Sequence, residues 1–140
     1  MCRLLLQCNS DVNATASVDH DPNALGWTRS GCRWTPLHVA SYIGHIEVCR
    51  LLIASKANVD AKDCSEHTPL QRAIVKDKVA VCQLLLQSNA NVEARDSSGW
   101  NLMHHAVALG HETVCRLLIA SKANVTIDRC IRFLTLTFFW

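Results

Sequence analysis

Glycine and proline are scarce in this chain, with five and three residues among 140, and the glycines are scattered singly at turn positions. A phosphate-cradling loop needs several glycines within a few residues, so nucleotide binding of that kind is excluded. Blocks of one charge are also missing: 14 basic and 12 acidic residues are spread along the chain and leave a net charge of +2. Charge therefore calls for neither nucleic acid nor an anionic membrane surface. Long apolar runs are absent as well. Leu4, Leu5 and Leu6 are too few for a signal peptide. The stretch from Ile131 to Trp140, interrupted by Arg132, has half the length a bilayer-spanning helix needs. No carboxylate pair recurs at a spacing suited to glycosidase or metal chemistry, and no C-x-x-C pair occurs.

What is present is repetition. The string from Cys49 to Val59 returns unchanged from Cys115 to Val125, and Cys82 to Val92 is a near copy halfway between them. The period is 33, so the chain is a tandem array. Nearly half of it is apolar, enough for a continuous core once the units stack. A stack of this kind has no central pocket, and its natural output is a surface.

Three registers begin at Thr35, Thr68 and Asn101, and each reads as two short antiparallel helices. Thr or Asn is the N-cap, and Pro36 and Pro69 suit the first turn. Gly44 and Gly110 end the first helix in a left-handed conformation, with Asp77 in their place in the middle unit. Second helices carry apolar residues such as Val48, Leu51 and Leu52 at helical spacing and end near Ser55, Ser88 and Ser121. Extended, hairpin-like segments then cross to the next unit.

Thr35-Pro36-Leu37-His38-x-Ala40, Gly44-His45, Leu51-Leu52 and Ala57-Asn58-Val59-Asp60, recurring at 33, resemble the ankyrin repeat over residues 34–129. The resemblance implies an all-α solenoid of stacked helix–turn–helix units with short β-hairpin fingers, no shared catalytic activity, and binding of other proteins. It also implies that His38 and His104 tie adjacent units together by hydrogen bonds across the loop. The chain departs from the pattern where Lys56, Asn89 and Lys122 replace the glycine after the second helix, a position that costs lysine about 1–2 kcal/mol. Gly99 has Arg33 and Glu66 as its counterparts.

The organisation expected is a partial unit over 1–14, an inserted loop over 15–33, three units over 34–129, and an off-register apolar tail over 130–140. The first of these opens inside a second helix, since Cys2 to Leu6 aligns with Cys49 to Ile53. The insert adds 14 residues to the period. The tail lacks the polar outer face of a terminal cap. These ends fit a fragment of a longer array, a targeting module of a larger protein, or a chain that ends outside the ancestral repeats.

Of eight cysteines, Cys2, Cys49, Cys82 and Cys115 share one repeat position before the Leu-Leu pair. Such positions on stacked helices lie about 8–10 Å apart, beyond the roughly 7 Å between Cα atoms that a disulfide spans. They are expected to be buried thiols. Cys8, Cys32, Cys64 and Cys130 fall in loops. The cysteine pattern suits an intracellular, reducing compartment, cytoplasm or nucleus. Cys64, three residues before His67, and Cys130, between Arg129 and Arg132, are the candidates for a rival thiol enzyme or redox sensor. Neither sits in a nucleophile motif, and the chain is read as non-catalytic. His104 and His105 point about 100° apart on a helix, a poor chelate. No metal or cofactor is expected.

Binding is assigned to one side of the array. Trp34, His67 and Trp100 share the position just before each first helix, which in similar proteins faces the concave surface. The last turn of the first helix adds Tyr42, Ile43, Val75, Lys76, Ala108 and Leu109, and the finger tips add Cys32, Ser65 and Ser98. Large aromatic side chains suit interface hot spots. For Trp34 and Trp100 the alternative is packing against the neighbouring finger. The expected partner is a protein, with no nucleic acid or membrane, and the chain is expected to be a monomer.

Overall fold

The computed structural model describes residues 11–17 and 33–121. The expectations for the half-unit from Cys2 to Leu6, Cys8, most of the insert, Cys32, Lys122, Cys130 and the tail lie outside the described residues. Within them run six helices: α1 Pro36–Ile43, α2 Ile46–Ala54, α3 Pro69–Val75, α4 Val79–Gln87, α5 Leu102–Leu109 and α6 Glu112–Ala120. Two two-residue strands, β1 Ala16–Ser17 and β2 Arg33–Trp34, pair antiparallel, Ala16 opposite Trp34, and bring together the chain on either side of residues 18–32. The fold is all-α.

Each first helix begins with a reciprocal cap. Thr35, Thr68 and Asn101 accept from the backbone N–H three residues on, and His38, Gln71 and His104 reach back to the cap's own N–H. The boxes use His and Gln where Glu is also suitable, because a neutral lone pair suffices to accept that N–H. The helices end where the chain turns left-handed, at Gly44 (φ 93°) and Gly110 (φ 73°). In the middle unit Asp77 takes the same turn at φ 53°. After the second helices, Lys56 (φ 63°) and Asn89 (φ 61°) do likewise, as their alignment with the missing glycines requires.

First helices pack in one layer, α1 on α3 and α3 on α5; second helices pack in another, α2 on α4 and α4 on α6. Between the layers lies a core repeated by unit: Leu37, Leu70 and Met103; Ala40, Ala73 and Ala106; Leu52, Leu85 and Leu118. Alanine on the first helices lets the layers approach closely, and each buried leucine contributes about 1.5–3 kcal/mol. Cys49, Cys82 and Cys115 are buried in the same row as thiols. Burial raises the Cys49 thiol and pushes Cys82, with a smaller push from the Asp77 charge, up to about 12.

A second seam joins the loops. Asn58 donates its backbone N–H to Asn13 Oδ1 at 2.7 Å, and Asn91 donates to Asp60 Oδ1 at 2.8 Å. Asn58 and Asn91 then fold their own turns by accepting from Asp60 and Glu93. The fingers at Asp63 and Asp96 are tight turns closed by a few local hydrogen bonds, with an isolated bridge between Arg95 and Asn101, rather than long ribbons. No helix of the described residues is long and apolar enough to cross a membrane.

Candidate functional site

The face made by finger bases and first helices is organised by two aspartates 33 residues apart. Asp63 Oδ1 accepts from Ser65 and His67 N–H at 2.9 and 3.0 Å, and its own N–H donates to the His67 carbonyl. Asp96 does the same with Ser98 and Trp100, at 2.8 and 2.9 Å. Each carboxylate thus spends one oxygen on shaping its finger. The other oxygen is turned to the first helix. Asp63 Oδ2 takes both Nε (2.8 Å) and a terminal nitrogen of Arg72, whereas Asp96 Oδ2 takes Nε2 of His105 at 2.9 Å. The spacing of nine residues is the same in both units, but a fixed cation in one is replaced by an imidazole in the other.

Stacking of the units adds a third group to the second carboxylate. His67 Nε2 lies 3.5 Å from Asp96 Oδ2, and the His67 and His105 rings are 5.3 Å apart. Burial lowers both imidazoles; at His67 the Arg72 charge adds to it, and at His105 the bond to Asp96 opposes it. For Asp96, burial pulls upward, but the N–H groups of Trp100 and Ser98 and the His105 ring outweigh it and hold the carboxyl low. Among the described residues His67, Asp96 and His105 form a group of three whose donor atoms lie within 4.8 Å of one another.

Aromatic residues line the same face. Trp34 meets Tyr42 edge-on at 5.3 Å, the Arg72 guanidinium lies 4.8 Å over the Trp34 ring, and Lys76 Nζ lies 4.7 Å over Tyr42. These cation–π contacts run from the second unit to the first. Trp100 meets the His104 and His105 rings in tilted contacts at 6.0 and 5.4 Å.

The residues assigned to binding from sequence fall unevenly on this face. Trp34 is buried (4% exposed) beneath Tyr42 and Arg72, so its role here is intramolecular packing. Trp100, in the same repeat position, is 43% exposed. Tyr42, Ile43, Ser65, His67 and Val75 are half-buried, while Lys76, Ser98, Ala108 and Leu109 are exposed. Ser65 also gives its carbonyl to Ser97 N–H at 3.1 Å, joining two fingers. Sequence reasoning passed over Asp63, Arg72 and Asp96, and weighed His105 only as a chelate with His104. Their signal was available as an Asp at one register position with Arg or His nine residues on, but it carries meaning only once the finger geometry is known. Cys64 is exposed on its finger, close in sequence to His67, whose Nε2 faces Asp96.

His38 Nδ1 accepts from Thr35 N–H at 3.1 Å, which leaves Nε2 as the donor to the His67 carbonyl of the next unit at 3.0 Å. The expected tie between units is therefore present at His38. Burial is the main cause of its lowered pKa. Gln71 repeats the arrangement, Oε1 accepting from Thr68 N–H and Nε2 donating to the Trp100 carbonyl.

No curated protein matches the chain. A family model described as ankyrin repeats, in three copies, matches residues 1–96 and 77–129, which is most of the chain. With the two helical layers, the capped first helices and the inter-unit imidazole bond in place, that match is decisive: the chain belongs to the ankyrin repeat family.

Proposed function

We propose that this chain is a non-catalytic module that binds a protein partner through its finger and first-helix face. Ankyrin repeats are generally protein–protein interaction modules and typically non-catalytic. The observation that carries the reading is apolar exposure on the third unit, where Trp100 is 43% and Leu109 is 49% exposed. By register, Trp100 has Ala108 where Trp34 has Tyr42, so no large side chain is available to cover the indole from that position. A half-exposed tryptophan and an exposed leucine on one unit suit an interface. Lys76 and Tyr42 extend the face toward the first unit, and the partner we expect is a protein rather than nucleic acid or membrane. The compartment we propose is intracellular and reducing, with the chain acting as a monomer.

The test is affinity capture from lysate with wild type and with Trp100→Ala combined with Leu109→Ala. Retained protein should be lost with the double variant while circular dichroism stays unchanged. Equal retention by both would sink the assignment of this face.

A further inference from the structure

The third unit departs from the second at the partner of its finger carboxylate. Arg72 has no lone pair to offer, whereas His105 does. A second departure sits across the unit boundary, where His67 occupies the position held by Trp34 and Trp100. Together they place two imidazoles on one carboxylate oxygen. We propose that His67, Asp96 and His105 form a binding site for a divalent transition-metal ion of the zinc type, spanning the second and third units.

Distances favour it. Asp96 Oδ2 lies 3.5 Å from His67 Nε2 and 2.9 Å from His105 Nε2. Metal bonds of about 2.0–2.1 Å in a tetrahedral site place donor atoms about 3.3 Å apart, a value these two separations bracket. The remaining separation, between the two imidazoles, is within 4.8 Å and closes by reorientation of the His67 ring. No hydrogen bond to Nδ1 holds that ring in its present orientation.

The surroundings are those of a ligating set. Asp96 is held by two backbone N–H groups on Oδ1, which leaves Oδ2 aimed at the imidazoles. His67 Nδ1 points toward Asp63 Oδ1 at 3.9 Å, so a metal on Nε2 would have a carboxylate behind the ring. Burial favours the neutral form of both rings, the form a metal needs. On binding, His105 moves its proton from Nε2 to Nδ1 and no charge is lost. Arg72 is the adverse group, but its charge is tied to Asp63 Oδ2 and its plane lies over Trp34. Two imidazoles and one carboxylate favour zinc, nickel or copper over magnesium or calcium. A plain Asp96–His105 pair accounts for two of the three residues and gives no role to His67 Nε2, which lies 3.5 Å from the same carboxylate oxygen.

The experiment is zinc titration of the reduced full chain by calorimetry, with imidazole nitrogen NMR in parallel. The expected result is one equivalent bound, with His67 and His105 ring signals shifted, those of His38 unmoved, and a melting midpoint that rises with zinc concentration. His105→Arg and His67→Trp install the residues that neighbouring units carry at those positions, and each should weaken zinc binding by at least about tenfold. Cobalt substitution adds a control for cysteine ligation. Zinc affinity unchanged in both variants, a thiolate-to-cobalt charge-transfer band in wild type, or unmoved His67 and His105 signals would each overturn the proposal.

Discussion

Nε2 of His38 donates to the main-chain carbonyl of His67 across 3.0 Å, and with that single bond the first helix of one unit grips the finger of the next. The ring serves two masters, because its other nitrogen accepts the Thr35 N–H that starts the helix. Gln71 performs both tasks one unit later with an amide in place of a ring. A lone-pair acceptor and an N–H donor at the two ends of a planar group are all the site requires.

His38→Gln is therefore expected to stay within about 1 kcal/mol of wild type, since both bonds can be remade. His38→Ala removes both and leaves the Thr35 N–H without its acceptor, at a cost of about 1–3 kcal/mol. Urea unfolding of the two variants side by side measures this, and equal losses would contradict it.

Lys56 holds φ at 63° in a position where glycine pays no Cβ penalty. Lys56→Gly should raise stability by about 0.5–1 kcal/mol, the relief of left-handed strain less the added freedom of the unfolded chain. The same change at Gln83, an exposed position in the middle of α4, should lower stability by about 1 kcal/mol. Opposite signs of the shift in melting midpoint are the outcome to look for.

Cys82 fixes an alkaline limb. Its folded pKa of about 12 stands above the ordinary thiol value of 9.0, so the folded state keeps a proton that the unfolded state releases. Stability from this thiol is complete below pH 9 and falls as pH rises toward 12, with a slope of about 1.4 kcal/mol per pH unit. Cys82→Ala should flatten that slope relative to wild type while lowering stability at neutral pH. Chemical denaturation at several alkaline pH values reads both effects.

The same burial orders thiol reactivity. Cys64, exposed on its finger, should be alkylated in the folded protein, whereas Cys49 and Cys82 should react only after unfolding. Peptide mapping after brief maleimide treatment separates them. Early labelling of Cys82 would mean that the layer between the helices opens far more readily than its packing implies.

The fold was open to reading because its signals are local and recur. Thr68-Pro69 caps a helix whatever surrounds it, and Lys56, Asn89 and Asp77 announce left-handed turns by standing where glycine is missing. The candidate site was harder to read. Trp34 and Trp100 share a register position, yet one is buried and the other exposed. The difference traces to neighbours: Tyr42 and the Arg72 guanidinium lie on Trp34. The His67, Asp96 and His105 group is assembled across a unit boundary, so no spacing within one unit displays it.

The seam through His38 and Gln71 has a further consequence for how such a chain can change. Both side chains grip a carbonyl of the main chain, at residues 67 and 100, and never the side chain attached there. Those two residues are imidazole in one unit and indole in the next, and the grip is the same. The main chain at these two positions is thus mechanically required by the seam, whichever side chain it carries. Variation can be tried there without loosening the joint between units.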